Sequence, residues 1–379
     1  MVVVGARVAG ATTAMLLARA GLDVIVVERA ARGADTLSTH ALMRPAVRQL
    51  AEWGVLPRVI TADTPAITQT VFTYGDLVVP IDLAADEPLY APRRTVIDPL
   101  LAEAAEAAGA TVCFDTRVLD VTRDDRGRVD GVLVERDGHP ERIGARLVVG
   151  ADGIRSLVAR KVEAPVVHQA RHAAAAIGRY VDTLSSPSSY RWYFARTASA
   201  GAIPTNGGTV VFAAGPAEEF RREVASDVAA GMQRWLREAA PELADEMAEA
   251  VPQSRLRSFP GERSFMRRAA GPGWALVGDA GVFSDPMTAH GMTSALRDAD
   301  LAARAAWSAL GGLEREAVAW SEYERERDRF ARPLIDAIDE VVAYRHDLGH
   351  VQEAHLALSR VMQGEYRALD DAAPFGLAA

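Results

Sequence analysis

The chain has 379 residues, of which 49% are hydrophobic and 25% charged, and a net charge of −9. That balance predicts an ordinary globular protein with length for two packed domains, and the acidic surplus argues against nucleic acid as a partner. No apolar run approaches the roughly 20 residues of a membrane span, the single cysteine, Cys113, excludes an internal disulfide and a cysteine-rich metal site, and the first residues already read as a strand and not as a secretory signal, so a cytoplasmic protein is expected.

The apolar run Val2–Val4 is too short for a helix and rich in β-branching, and Gly5 follows it. A helical pattern from Ala9 to Ala20 stops at Gly21, and a second β-branched run, Val24 to Val27, ends on Glu28. Strand, tight turn, helix, strand, acid is the order of a dinucleotide-binding unit. Gly5 allows the sharp turn. Gly10 and the small Ala9 let the helix approach the sheet, and the helix N-terminus offers N–H groups and positive potential to a pyrophosphate. Glu28 suits the hydroxyls of an adenosine ribose and repels a 2′-phosphate, which favours FAD or NAD over NADP, and Arg29 beside it joins the cofactor set. Arg7 stands where the middle glycine of G-x-G-x-x-G belongs; it either clamps phosphate with its charge or marks a degenerate loop.

Further along, a helix is expected at about 46–53 and a hairpin at 68–83 turning at Gly75-Asp76. Arg94 precedes a helix that runs to the Gly109 stop, a strand follows at 112–114, and a small antiparallel meander spans 118–143. Residues 146–153 form a second buried strand ending in Asp152-Gly153. The stretch from about 166 to 258 holds β-like runs at 174–180, 190–194 and 209–214 and one helix at 218–239, which reads as an antiparallel sheet with a covering helix. Trp274–Val277 is a third buried strand, ending in Gly278-Asp279. A long helix covers 291–310, and the rest is helical and rich in Arg and Glu. His346 and His350, spaced i, i+4, read better as an exposed helix face than as a metal pair; no metal is expected. The fold class is therefore α/β: a Rossmann-like domain with an inserted antiparallel sheet and a C-terminal helical segment. The expected division is 1–67, 90–165 and 259–313 for the cofactor, 68–89 and 166–258 for the substrate, and 314–379 for the C-terminal helices.

Three apolar strands thus end in polar turns that open helices, at Gly5–Gly10, Asp152–Ser156 and Gly278–Ala280. With these motifs in this order the first 310 residues or so resemble the glutathione-reductase-type FAD proteins of the para-hydroxybenzoate-hydroxylase class, and the Pro92-Arg93-Arg94…Asp98 segment also sits comfortably with the geranylgeranyl-reductase-like branch. The resemblance implies that Asp279 binds the flavin ribityl chain, that Arg94 lies near the pyrophosphate, and that the Asp152 turn touches FAD and the path of a nicotinamide. Asp279 also suits a helix cap, and Asp152 a common turn. The stretch Gly278–Asp300 resembles the family's loop at the flavin edge. Pro286 fixes its backbone, and Ala289, His290, Gly291 and Met292 present N–H groups at the start of the long helix, where reduced flavin is negative. His290 is either a proton donor or a packing residue, and a side chain at Gly291 is expected to block the ring and strain the turn.

The loop Asp35–Pro45 passes near the flavin in such a fold, which makes His40 a candidate on the substrate side, together with Tyr190, Trp192 and Phe194 from the inserted sheet. The activity implied is that of a FAD-dependent monooxygenase: NADH or NADPH reduces the flavin, dioxygen adds, and the hydroperoxide hydroxylates a small aromatic or polyketide-like molecule. A separate flavin reductase is a conceivable partner. The alternative is a geranylgeranyl-reductase-like reductase or dehydrogenase. A halogenase is disfavoured because Lys161, the one lysine, follows the Asp-Gly turn; a non-enzymatic flavoprotein is the remaining class.

Overall fold

The structure is a computed structural model and describes residues 1–344, 347–370 and 375; His346 lies outside the described residues. Val2–Val4 sits inside a six-stranded sheet whose order is Ala270–Gly271, Trp274–Leu276, Val148–Gly150, Val2–Val4, Ile25–Val27, Thr111–Cys113. All its pairings are parallel except that of the first, short strand. Parallel strands buried on both faces need apolar residues throughout, and the valines supply them. Val3 faces a core shared with the helices Val8–Arg19 and Gly291–Leu310, whereas Val2 and Val4 face the meander strands Arg117–Arg123 and Val129–Arg136. Val4, Gly150 and Leu276 stand side by side in the register. The loops opening at Gly5, Ala151 and Val277 therefore leave one edge of the sheet together.

The second large sheet has seven strands, in the order Arg257–Phe259, Ala174–Val181, Gly208–Pro216, Ser199–Thr205, Ser189–Phe194, Gln69–Tyr74, Leu77–Asp82. Gln69–Tyr74 and Ser189–Phe194 pair in parallel and bring the early hairpin beside the later strands. Successive side chains of a strand point to opposite faces. Tyr190, Trp192 and Phe194 consequently share one face, while Arg191 and Tyr193 take the other. That other face is covered by the helix Val228–Ala239, whose Trp235 lies where a side chain at residue 215 would be; an added Cβ on Gly215 would meet its ring at 2.6 Å.

Two details differ from the sequence reading. Ser199–Thr205 is an inner strand although it contains Gly201 and Pro204, residues that weaken strands. Gly201 is required there: a Cβ would lie 2.5 Å from the Phe212 ring, which crosses its face to reach Trp192. The expected helix at 218–239 is interrupted, with a π-helical turn at Phe220–Val224 and a fresh start at Val228, where Asp227 accepts the Ala230 N–H at 3.0 Å. A further helix, Pro241–Glu249, follows.

The helices Glu316–Val341 and Leu348–Asp370 complete the aromatic side of the second sheet through Leu334, Ile338, Val342, Val351 and Leu358. His355 of the last helix stands among Phe72, Tyr74 and Phe194, with ring centroids 6.0, 5.6 and 4.3 Å away, and its Nδ1 is 3.0 Å from Tyr74 Oη. Burial lowers the His355 pKa to about 4. Among the described residues, no helix is long and apolar enough to cross a membrane and no cluster of His, Cys, Asp and Glu forms a metal site.

Candidate cofactor and substrate site

At the converging loops the backbone comes first. Gly5 has φ +105°, and a Cβ on it would lie 2.5 Å from the Ala151 carbonyl oxygen; one on Gly10 would lie 1.9 Å from that of Gly5. Only glycine permits this stacking of turn, helix and neighbouring loop. Glu28 Oε2 accepts the Ala6 N–H and Oε1 that of Ala30, both at 2.9 Å, so the acid is fixed at the strand tip with lone pairs to spare. The cavity in front of it is lined by Ala6, Arg7, Glu28, Ala30, Ala31, Gly33, Ala34, Asp98, Pro99 and Phe114. Arg7 is half-buried at the N-cap of the helix Val8–Arg19 and within electrostatic reach of Asp98.

Arg94 and Asp98 form the next layer. Arg94 Nε donates to Asp98 Oδ1 at 2.9 Å, while Asp98 Oδ2 is buried without a partner. Burial raises the Asp98 pKa against the pull of Arg94 and Arg7. Asp279 lies in the 3₁₀ turn Gly278–Ala280 and receives no hydrogen bond from the described residues; burial pushes it up to about 6, opposed by Arg94. Gly278, with φ +55°, seats this turn against the glycine-loop helix; a Cβ on it would be 2.9 Å from that of Ala9. Glu28, Asp98, Arg94 and Asp279 thus run as one electrostatically coupled line across the sheet edge.

The Pro286–Met292 segment is held from behind. Asp285 is 1% exposed and accepts N–H bonds from Ala174 at 2.8 Å and Met287 at 3.1 Å, while burial pushes its pKa up to about 7. This carboxylate ties the loop to the second sheet. Ala289 takes the left-handed region at φ +52°, unusual for a residue with a Cβ. Thr293 Oγ1 accepts the Met43 N–H at 3.2 Å and joins the start of the long helix to the Asp35–Pro45 loop. A Cβ on Gly291 would meet nothing within 4 Å, and its backbone is helical, so the strain expected there is absent while space lies in front of it. Met292 faces the first core.

His40, also left-handed at φ +63° and fully buried, has Nε2 2.5 Å from Tyr180 Oη. The Arg93 guanidinium lies 3.8 Å from the centre of the Tyr180 ring and contacts Asp35. Burial, with Arg94 and Arg93 nearby, lowers the His40 pKa to about 3, so this imidazole is neutral at physiological pH. Tyr180, Tyr190, Trp192, Phe194, Met287 and Ala289 belong to one packed cluster, which joins the aromatic sheet face to the loop.

Other sequence candidates have these surroundings. The Asp152 carboxylate is turned into its own helix start, accepting from Ser156 Oγ at 2.5 Å, Leu157 N at 2.6 Å and Val158 N at 3.2 Å. Arg29 is exposed and makes no side-chain hydrogen bond or ion pair with the described residues. His290 Nε2 donates to Glu365 Oε2 at 2.9 Å, which engages it with the last helix. Sequence reasoning did not single out Tyr180, Arg93, Asn206 or Glu365. Asn206 Oδ1 accepts the Arg93 N–H at 2.9 Å. Arg93 had a signal in its neighbour Arg94; Glu365 had none.

The unpartnered Asp98 Oδ2, the glycine cradle and the open space at Gly291 fit an extended dinucleotide along this sheet edge. Fold and site together define a dinucleotide-binding flavoprotein with an attached sheet that carries an aromatic core. The chain belongs to the FAD binding domain family, which it matches over residues 1–338. It is 28% identical over 343 residues to the menaquinone reductase of Mycolicibacterium smegmatis, covering 84% of this chain and 78% of that protein. It is 24% identical over 403 residues to the digeranylgeranylglycerophospholipid reductase of Methanosarcina mazei, covering 97% and 93%. Among solved structures, pqsL of Pseudomonas aeruginosa, described as a probable FAD-dependent monooxygenase, superposes with a TM-score of 0.77 at 23% identity over 93% of this chain and 98% of that one, a likeness of fold alone.

Proposed function

We propose that this oxidoreductase is a FAD-dependent monooxygenase that hydroxylates a small, flat, aromatic or polyketide-like molecule, using NADH or NADPH and dioxygen. The observation that carries the reading is the aromatic sheet face: Tyr190, Trp192 and Phe194 on one side, in one cluster with Met287 and Ala289 of the Pro286–Met292 loop. Apolar aromatic walls recognise flat apolar substrates and keep water away from a reactive site. Bound FAD would supply the redox chemistry. Gly5, Gly10 and the N–H groups of the first helix would hold its pyrophosphate with Arg7 and Arg94, Glu28 its ribose, and Asp279 its ribityl chain. The N-terminus of the helix Gly291–Leu310 would favour negative charge on the reduced ring. His40, kept neutral, is suited to hydrogen bonding with substrate rather than to carrying charge.

The test is anaerobic reduction of the FAD-loaded chain by NADH and by NADPH, then admission of labelled dioxygen over a panel of phenols and polyketide aromatics. A product carrying one labelled oxygen supports the reading; oxidation of the cofactor with every substrate unchanged sinks it. A second reading, reduction of an alkene or quinone-like substrate, is favoured by the reductase names of the two relatives and by the partly buried Arg94–Asp98 pair. Substrate-dependent, oxygen-independent consumption of NAD(P)H would establish it instead. Halogenation is disfavoured: Lys161 is at the surface, bonded to Asp120 at 2.8 Å.

A further inference from the structure

A second cavity, of about 180 Å³, lies where the strands of the parallel sheet begin; Arg128, Arg146, Leu147, Leu310, Glu316 and Trp320 line it. Leu147 and Gly273 precede the strands Val148–Gly150 and Trp274–Leu276, whereas the loops of the cofactor edge follow those strands. The cavity is therefore at the opposite edge of the sheet from the site described above. The helix Gly291–Leu310 ends at it, and the helix Glu316–Val341 starts there.

The polar groups left over in this cavity are donors. Glu316 is already engaged: its Oε2 accepts from Arg128 Nη1 and its Oε1 from the Gly273 N–H at 3.2 Å. Arg128 Nη2 donates to the Arg146 carbonyl oxygen at 2.9 Å. The exposed Arg146 donates from Nη2 to the Leu310 carbonyl oxygen at 3.2 Å and has no carboxylate partner among the described residues. A cation suits the C-terminal end of a helix, yet one such bond leaves most of the guanidinium fork unused. Trp320 is 6% exposed, and its Nε1–H is buried without a partner. An indole N–H can only donate, and a buried one usually finds an acceptor.

Two guanidiniums against one carboxylate leave the lining positive, and no acceptor remains to match the spare donors. Leu147, Leu310 and the Trp320 ring add apolar surface. An apolar cavity of about 150 Å³ is large enough for a benzene ring. A ligand that answers all three features is anionic, accepts hydrogen bonds and carries one small apolar body. The fork of an arginine matches a carboxylate in particular.

We propose that this cavity is a second ligand site, separate from the oxidoreductase site, and that it takes a small aryl carboxylate. The carboxylate meets the Arg146 guanidinium and the Trp320 Nε1–H, and the ring lies against Leu147 and Leu310. The site stands whether or not the monooxygenase reading does, because it uses neither the cofactor edge nor the aromatic sheet face.

The test uses the full, ¹⁵N-labelled chain with FAD supplied, and benzoate as the probe. The indole N–H signal of Trp320 is the one missing from Trp320→Phe, which keeps an aromatic ring and removes the donor. That signal should move and saturate with benzoate below about 10 mM, and stay in place with neutral benzyl alcohol. In Arg146→Met the same movement should require at least tenfold more benzoate. A signal that stays still up to that concentration, an equal response to benzyl alcohol, or an unchanged midpoint in Arg146→Met overturns the proposal. So does a response of Trp192 without one of Trp320, which would put the benzoate on the aromatic sheet face instead. Should Trp320→Phe not fold, calorimetry of benzoate binding to the native and Arg146→Met chains decides, and equal affinities are fatal.

Discussion

The two large sheets solve different problems. The parallel sheet around Val2–Val4 builds its site from backbone: turns, helix ends and glycines whose Cβ atoms would collide with carbonyl oxygens. The seven-stranded sheet builds its aromatic face from side chains and packs it with others, delivered by strands and by helices far along the chain. A backbone site tolerates almost no change at its few glycines and is recognisable from them. A side-chain site can be recut residue by residue while the fold stays the same, which suits a surface that must fit one substrate among many.

The largest break in this contrast is expected from Gly10→Val. Its Cβ would fall 1.9 Å from the Gly5 carbonyl oxygen, a clash with backbone that cannot swing away. Overpacking of this kind costs about 1–3 kcal/mol or more. The variant should lose FAD altogether, with a lowered melting temperature in both cofactor-free and FAD-supplemented samples; normal flavin content would show that the cradle is softer than described. Next comes Trp192→Ala on the other sheet. Loss of a buried aromatic costs about 3–5 kcal/mol of stability. At a temperature where the chain remains folded, FAD content should be unchanged while KM for substrate rises at least tenfold. An equal loss of FAD would mean that the two regions are not separable.

The first of these regions was far more legible in the sequence than the second. Glycine turns, Val runs, the hairpin at Gly75-Asp76 and the acid at Glu28 are local signals, because their partners lie within one strand–helix unit. The face shared by Tyr190, Trp192 and Phe194 follows from strand alternation once the strand is given, yet the sequence could not say which strand lies beside it. The answer, Gln69–Tyr74 in parallel, joins segments about 120 residues apart. Ser199–Thr205 escaped notice because Gly201 and Pro204 argue against a strand, and the reason for Gly201 is the Phe212 ring on the neighbouring strand. The interruption before Val228 was readable in Ser226-Asp227, an ordinary cap signal inside an otherwise continuous pattern. His290 with Glu365 is the extreme case, 75 positions apart and joined only by packing.

A smaller, pH-dependent effect sharpens the comparison. Asp279 has its folded-state pKa raised to about 6 from 3.8, so in the flavin-free protein it favours folding at low pH and the benefit is lost as pH rises toward and past 6. Asp279→Asn removes that penalty. The flavin-free variant should be more stable than the native chain by about 1–3 kcal/mol at pH 8, and no more stable near pH 4. Urea titrations at the two pH values measure this, while flavin content, expected to fall, reports what the acid is kept for. Equal stability at both pH values together with full flavin content would reduce Asp279 to a turn residue. The smallest effect belongs to Arg29→Ala. An exposed side chain without a partner among the described residues should change stability by less than about 0.5 kcal/mol and leave FAD affinity the same; a weakened affinity would place Arg29 in the cofactor set.

The tie between Glu365 and the head of the long helix also bears on how the protein is made. Arg297 and Glu365 are separated by 68 positions. At synthesis rates of roughly 5–20 residues per second, about 3–14 s pass between the emergence of the two. Through that interval the glycine cradle is already complete on the nascent chain, while buried Arg297 of the long helix still lacks Glu365. Maturation therefore has an order: the cradle of the parallel sheet forms early, and the head of the long helix is finished only when the last helix docks.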